Sequence, residues 1–385
     1  MRQGFDTWLL IAVLLLVLCS VCFVYTASSA KAERNYDDSA FFLKRQLVRL
    51  LLGLIAMFVI SRVDYHDILA RAPLLYGVSL ILLIVLLLLP ESMAIRGSRR
   101  WFVYGPLQVQ PSELAKFCLI FYLAANLAKT QIDVRNFMDG LMPQLVLIGA
   151  TALAVVLEPD MGTTLIIATV GMFMLFLHGA RLQHLFALVS TGVLVAIALL
   201  LRVEYQRDRV ESFLASVFGA AEPGWQVKQS LIGLGDGGLL GLGLGKSKQK
   251  LLFLPDPHTD FIMSIIGEEM GLIGTLGVLL LFFIILWRGF RIAQAAPDAS
   301  GRLTAFGVTL AIGLSAFVNI AVITNLLPTT GIPLPFVSYG GSSLIVHLAA
   351  VGVLLNISQS VKPKKAGGVT KIPLARTKWY HDRKR

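Results

Sequence analysis

One aspartate stands out among the residues that could do chemistry. Asp260 ends the run Pro255-Asp256-Pro257-His258-Thr259-Asp260, and a long apolar stretch follows it at once. The two prolines keep this run out of a helix. A carboxylate at such an edge can accept a proton from a substrate hydroxyl. Thr259 or Asp260 can equally cap the helix that follows, a role worth about 1 kcal/mol, and the residues alone favour the cap.

Two further pairs of charged residues lie within apolar stretches. Glu113 and Lys116 are three residues apart and hence neighbours on one helix face, where they form either a structural ion pair or part of a substrate site. On a helical wheel Glu268 lies nearer to Asp260 than Glu269 does. We therefore expect Glu268 to share a cavity with Asp260, and Glu269 to meet another helix.

The segment 202–260 is long enough to contain a site of its own. It opens with a charged stretch that includes Arg207 and Arg209, and it continues into the glycine-rich run 233–247, which nearly matches two nucleotide-binding motifs. Both motifs need a preceding strand in a soluble βαβ unit, so we predict that no nucleotide binds here. We expect a flexible or re-entrant loop that approaches lipid headgroups.

The elements that position these residues are membrane helices. The chain of 385 residues is 56% hydrophobic and 15% charged, whereas soluble domains are roughly 45–50% apolar and about 25% charged. An all-α polytopic membrane protein follows, with about ten transmembrane helices and the long extracytoplasmic loop 202–260 between helices seven and eight. The predicted spans are 8–26, 46–62, 73–90, 112–128, 143–158, 161–177, 183–201, 261–287, 303–325 and 340–358.

The charge distribution sets the expected orientation. An even number of spans places both termini on one side, and the tail 361–385 contains nine Lys or Arg against the single acid Asp382. We therefore place both termini in the cytoplasm, which assigns the whole formal excess of +11 to that face. The basic tail is expected to meet anionic lipid and no nucleic acid. Residues 1–360 form the membrane domain, whose first span we expect to be uncleaved.

Two other patterns bear on the site. Three prolines within 327–336 exclude a helix there, and the apolar character of this segment suggests that it dips into the outer leaflet. The hydroxyls of the run 338–343 suit helix capping or an oxygen-rich ligand. The three cysteines lie within spans and are expected to be inert. These residues together indicate a lipid-substrate enzyme or a lipid transporter, and they do not choose between the two.

Seven segments in order along the chain resemble a known family, the SEDS proteins, which are bacterial membrane peptidoglycan polymerases. The landmarks cover residues 26 to 343, nearly the whole chain. They are Thr26-Ala27-Ser28-Ser29, Gly97-Ser98-Arg99-Arg100-Trp101, Gln110-Pro111-Ser112-Glu113-Leu114-Ala115-Lys116, Glu158-Pro159-Asp160-Met161-Gly162-Thr163, His258-Thr259-Asp260-Phe261, Gly267-Glu268-Glu269 and the run 333–343.

The resemblance implies a glycosyltransferase that joins lipid II units into glycan strands and releases undecaprenyl pyrophosphate. It implies that Asp260 is the general base, and that Arg207, Arg209, Lys116 or a divalent cation (Mg²⁺ or Mn²⁺) stabilises the leaving pyrophosphate. It also implies residence in the bacterial inner membrane, beside a class B penicillin-binding protein and other divisome membrane proteins. The substrate-site candidates are Glu113, Lys116, Arg207, Arg209, Glu268, Arg100, His258 and Ser338.

Within the family, the runs 247–250 and 327–332 look more like the division branch, FtsW, than the elongation branch, RodA. Two positions depart from the family pattern. Ala215-Ser216 stands where Asp-Pro is frequent, which puts any role of that aspartate in doubt, and Asp256 replaces the usual Glu. A lipid II flippase and a scaffold without catalytic activity are the alternatives to the polymerase.

Overall fold

The computed structural model describes residues 4–89, 100–104, 107–129, 132–202, 204–251 and 253–361. This part of the chain forms thirteen α-helices, one π-helical turn at Phe137–Leu141 and a hairpin of two strands. The strands are β1 (Phe102–Tyr104) and β2 (Leu107–Val109). The helices are α1 (Thr7–Tyr36), α2 (Phe41–Arg62), α3 (Tyr65–Ala70), α4 (Ala72–Leu88), α5 (Pro111–Leu127), α6 (Met142–Leu157), α7 (Met161–Leu177), α8 (Leu182–Arg202), α9 (Glu204–Val217), α10 (Trp225–Asp236), α11 (Ile262–Ala295), α12 (Ala299–Ile323) and α13 (Gly341–Ser360).

Each of the ten predicted spans coincides with one of these helices. Helices α1 and α11 extend well beyond the predicted ends of their spans, to Tyr36 and Ala295. Five helical segments are long and apolar enough to cross a membrane on their own: Thr7–Tyr36, Phe137–Leu157, Ile262–Ala295, Ala299–Ile323 and Gly341–Ser360. The chain is therefore a helical, multi-pass membrane protein. Residues 362–385 of the basic tail lie outside the described residues.

Close helix packing depends on small residues, as is usual between membrane helices. At the contact of α2 with α13, a Cβ on Gly53 would lie 2.6 Å from Leu348 Cδ1, and a Cβ on Gly352 would lie 2.6 Å from Met57 O. Each helix therefore supplies a glycine that lets the other approach. The exposed leucines, valines and phenylalanines of the outer helices then face lipid.

The region 202–260 is more ordered than the sequence predicts. It contains α9 and α10, and the backbone after α10 inserts beside a break in α11 at Gly271, where φ is +65° and ψ is −160°. Four backbone hydrogen bonds join the two segments: Leu242 N to Glu268 O (2.9 Å), Gly243 N to Glu269 O (3.0 Å), Leu272 N to Gly238 O (2.9 Å) and Ile273 N to Leu239 O (3.3 Å). The inserted segment thus satisfies the backbone groups that the break leaves without helical partners.

Two other segments differ from expectation. The antiparallel hairpin, which pairs Phe102 with Val109, was not predicted, because strands of three residues carry no clear alternation. The segment 327–336 is non-helical as predicted, yet Ile332, Leu334 and Phe336 are buried against the protein. Its apolar side chains therefore pack within the protein, as non-helical backbone at membrane depth requires.

Candidate active site

Asp260 lies in a turn just before α11 and does not cap it. The helix begins at Ile262, and Phe261 takes the cap position without a side-chain hydrogen bond. The Oδ1 atom of Asp260 accepts a hydrogen bond from Thr259 Oγ1 at 2.8 Å. Its carbonyl accepts another from Asn319 Nδ2 at 2.7 Å, which ties the turn to α12. The prediction that Thr259 or Asp260 caps α11 was therefore wrong. The carboxylate of Asp260 is free of a capping role.

The surroundings of Asp260 raise the pKa of its carboxyl group. Burial is the main cause, and the nearby Asp256 carboxylate adds to it. The hydrogen bond from Thr259 and the positive charge of Arg209 act in the opposite direction. Asp256 is itself ion-paired with Lys31 at the end of α1. A half-buried carboxylate with a raised pKa is a stronger base than an exposed aspartate, and is therefore suited to accepting a proton from a substrate hydroxyl.

Arg209 and Arg207 occupy different surroundings, although they are two residues apart on α9. Arg209 Nη1 donates to the carbonyl of Thr329 at 2.9 Å and lines a cavity of about 310 Å³ with residues of the 325–329 turn. The Nε atom of Arg207 pairs with Glu211 at 3.3 Å, and both of those side chains are exposed. Of the two cations, only Arg209 is placed where its charge acts on Asp260.

Glu113 and Lys116 form the centre of a buried ion cluster on α5. Lys116 Nζ lies 3.0 Å from Glu113 Oε2, and the two residues are only 1% and 3% exposed. The same oxygen accepts from Ser343 Oγ at 3.2 Å, and His347 Nδ1 lies 3.6 Å from it. Both side chains are therefore enclosed within the protein. Two residues of α13 share the Glu113 carboxylate, so it does more than neutralise Lys116.

The run 338–343 connects the Asp260 turn to the ion cluster. Tyr339 N donates to His258 O at 2.8 Å, and Ser343 Oγ reaches Glu113. Ser338 Oγ accepts from Leu334 N at 2.8 Å and so stabilises its own turn. The ring of His258 is buried between Phe42 and Tyr339, with centroid distances of 4.5 Å and 5.2 Å. His258 and Ser338 therefore shape the backbone beside Asp260.

Glu268 and Glu269 anchor the loop that follows the glycine-rich segment. The Glu268 carboxylate accepts from the Ser247 hydroxyl, from Lys248 N at 2.7 Å and from Gln249 N at 3.3 Å. Glu269 pairs with Lys250 at 3.1 Å. Both carboxylates face residues 247–250, so the structure does not bring Glu268 beside Asp260. The helical wheel misplaced it because Asp260 precedes the helix.

Arg100 closes the connection between α6 and α7. Its Nε donates to Glu158 O at 3.1 Å, and its Nη2 donates to Pro159 O. Burial and the neighbouring Asp160 raise the pKa of the Glu158 side chain to about 9, against the opposing charge of Arg100. Asp160 in turn accepts from Gln110 Nε2 at 3.0 Å, which connects this turn to the start of α5.

The sequence reasoning missed two buried polar residues of the site. Asn319 donates from one Nδ2 atom to the carbonyls of Asp260 and Ile332, at 2.7 Å and 2.8 Å. His347 takes part in the ion cluster. Both are single polar residues inside apolar spans, and that signal could have identified them.

The acidic residues do not supply a closed metal site. Among the described residues, no group of three or more His, Cys, Asp or Glu side chains is arranged to hold a metal ion. Asp256, the carboxylate whose charge acts on Asp260, is ion-paired with Lys31. The donors present therefore do not fit a divalent cation held by the protein alone.

A helix bundle with a carboxylate, an arginine and a buried ion cluster defines a polytopic membrane protein with a polar site. The cell-cycle protein family of FtsW, RodA and SpoVE matches residues 6–363. Stage V sporulation protein E of Bacillus subtilis is 42% identical over 354 residues, which cover 92% of this chain and 97% of that protein. This chain therefore belongs to the FtsW/RodA/SpoVE family.

Other relatives agree with this assignment. A probable peptidoglycan glycosyltransferase FtsW of Geobacter metallireducens is 41% identical over 362 residues, covering 94% of this chain and 96% of the relative. A chain from a peptidoglycan synthase complex that coordinates polymerization and crosslinking has a TM-score of 0.75 at 30% identity, covering 93% of this chain and 99% of that one. The rod-shape-determining protein RodA of Thermus thermophilus has a TM-score of 0.68 at 29% identity, covering 94% and 99%.

Proposed function

We propose that this protein is a peptidoglycan glycosyltransferase of the division branch, which polymerises lipid II in the cytoplasmic membrane and releases undecaprenyl pyrophosphate. Membership of the family and relatives named as glycosyltransferase FtsW support the activity. The mechanism rests on the position of Asp260, which is half-buried and lies within reach of the charge of Arg209. Hydrogen bonds from Thr259 and Asn319 hold it in its turn.

The chemistry requires a base and a stabilised leaving group. The 4-hydroxyl of the acceptor sugar attacks the anomeric carbon of the donor, and its proton passes to the Asp260 carboxylate. The bond from that carbon to the pyrophosphate breaks, and the guanidinium of Arg209 stabilises the charge that develops on the leaving group. A single displacement of an α-linked pyrophosphate yields the β-linked product.

The buried ion cluster of Glu113 and Lys116 is proposed to hold the start of α13, and so the run 338–343 beside Asp260, in place. The run 338–343 connects this cluster to the Asp260 turn, through the hydrogen bonds of Tyr339 N to His258 O and of Ser343 Oγ to Glu113. An Mg²⁺ or Mn²⁺ ion would have to arrive on the pyrophosphate of the substrate, since this ion usually combines one or two carboxylates with substrate phosphates.

A class B penicillin-binding protein is the proposed partner, because this chain resembles a subunit of a complex that couples polymerization to crosslinking. Such a partner would supply the crosslinking activity. Further divisome membrane proteins, ten membrane crossings and cytoplasmic termini belong to the same proposal.

The decisive assay is glycan-chain formation from lipid II by the purified protein in detergent, with and without the partner. The polymerase proposal expects glycan strands in at least one of these arms. A flippase would move lipid II only in vesicles, and a scaffold would do neither. Absence of glycan in both arms, with the protein folded, would contradict the proposal.

A further inference from the structure

A second polar cavity lies at the opposite end of the bundle from Asp260. It has a volume of about 450 Å³ and opens between the connection from α5 to α6 and the start of α8. Helices α5 and α7 begin beside the Asp160 turn and end near this cavity, which therefore occupies the predicted cytoplasmic face. Its lining residues are Asp133, Arg135, Asn136, Phe137, Arg181 and His184.

The cationic side chains of this cavity are available to a ligand. Arg135 and Arg181 are both exposed, and within the described part of the chain neither guanidinium is ion-paired with a carboxylate. The Nδ1 atom of His184 is buried and has no hydrogen-bond partner among the described residues. The two guanidinium groups are therefore accessible to a ligand, whereas the Nδ1 atom of His184 is enclosed in the wall of the cavity.

Several side chains that line the cavity also take part in local structure. Asp133 accepts from Arg135 N at 3.0 Å, which fixes the turn that carries Arg135. Asn136 donates to Asp139 at 2.9 Å and accepts from Met138 N at 3.2 Å. The ring of His184 packs against Phe137 with the centroids 5.3 Å apart. This architecture holds the imidazole at the wall of the cavity.

The margin of the cavity is apolar and exposed. Met138, Leu182 and Phe186 are exposed by 70%, 68% and 75% at the flanking helices. In a membrane protein such side chains contact acyl chains, so a ligand at this position has lipid tails beside it. An anion that combines a phosphate with acyl chains fits the polar centre and the apolar margin together. Basic pockets between membrane helices on this face are typical sites for acidic headgroups.

We propose that this cavity binds the phosphate group of an anionic phospholipid through Arg135 and Arg181, beside the wall that His184 and Phe137 form. The two guanidinium groups supply charged donors to the phosphate oxygens. The acyl chains lie along Met138, Leu182 and Phe186. This site is independent of the polymerase chemistry, because none of its residues contacts the Asp260 turn.

The test compares lipid retention by purified full-length variants. Delipidated protein in detergent receives phosphatidylglycerol or phosphatidylcholine with identical acyl chains, and native mass spectrometry counts the bound lipids. Each arginine near a lipid surface contributes about a fivefold gain in affinity. We therefore expect Arg135→Gln/Arg181→Gln to bind phosphatidylglycerol roughly 25-fold more weakly. Phosphatidylcholine binding should stay unchanged.

The matched control is Arg71→Gln/Arg291→Gln, which removes two exposed arginines from the same face. We expect it to retain phosphatidylglycerol like the unmodified protein. An equal loss of phosphatidylglycerol binding in both double variants would mean that the arginines act only by general charge attraction, and it would contradict the proposed site. Unchanged binding by Arg135→Gln/Arg181→Gln would also overturn it. Addition of inorganic phosphate should not displace the lipid, and full displacement would assign the cavity to free phosphate instead.

Discussion

Among the single residues, Asp260 has an environment that makes its carboxylate a stronger base than an exposed aspartate. Burial raises the pKa of its carboxyl group, and the positive charge of Arg209 partly offsets that effect. The same guanidinium is proposed to stabilise the leaving pyrophosphate. A base must be ionised before it accepts a proton, so activity should fall as the pH drops through this raised pKa. The acid limb of the pH–rate profile therefore lies above the usual range of aspartate.

Arg209→Gln tests this coupling. Loss of the positive charge removes an influence that lowers the pKa of Asp260, so the acid limb should move to higher pH, and kcat should fall because the pyrophosphate loses its cation. The pH profile of lipid II polymerisation measures both effects. Arg207→Gln is the matched control, since Arg207 pairs with Glu211 at the surface and should polymerise almost normally. The same profile for both variants would contradict the assignment of Arg209.

The ion cluster gives a second test at this scale. If Glu113 and Lys116 only neutralised each other, the swap Glu113→Lys/Lys116→Glu would recover the activity that each single variant loses. Ser343 and His347 also contact Glu113, so a lysine there meets the wrong partners and the swap should stay inactive. Each single variant places two like charges together in the buried cluster, which costs at least about 3–5 kcal/mol, the cost of a buried charge without its partner. Thermal unfolding in detergent should be recorded beside activity, and full rescue by the swap would leave a structural ion pair.

At the scale of elements, hydropathy predicted the helices well because a membrane span needs about 20 apolar residues. The details that shape the site depend on tertiary contacts. The Asp260 turn could not be separated from the helix by sequence, since a helix start and a preceding turn use the same residue types. The break at Gly271 was also missed, because it is stabilised by backbone groups of residues 238–243, which are distant in sequence.

Gly271→Ala tests the role of that break. Its φ of +65° strains any other residue by about 1–3 kcal/mol, and a Cβ would lie 2.6 Å from the carbonyl carbon of Leu239. We expect a lower unfolding temperature and loss of glycan synthesis. Gly277→Ala, on the same helix with nothing within 4 Å of its Cβ, should be as stable as the unmodified protein or more so. Equal stability of the two variants would show that the break is dispensable.

At the scale of the whole molecule, orientation rests on charge. Single cysteines at Lys246 and Lys371, in a chain without its three native cysteines, should react from opposite sides of intact cells. Lys246 is exposed in the long loop, and Lys371 lies in the basic tail. An impermeant maleimide should label the first alone until the membrane is permeabilised. Equal labelling of both positions would overturn the assignment of cytoplasmic termini.

The variant Asp260→Asn tests whether Asp260 is the catalytic base. Asparagine keeps the shape of the side chain but cannot take up the proton, so we expect polymerisation to fall by a factor on the order of 10²–10⁴. The variant should unfold at nearly the same temperature and still bind lipid II and its class B partner. Glycan-chain length and yield from lipid II, with unmodified protein beside it, provide the measurement. Near-normal glycan synthesis by folded Asp260→Asn would contradict the account.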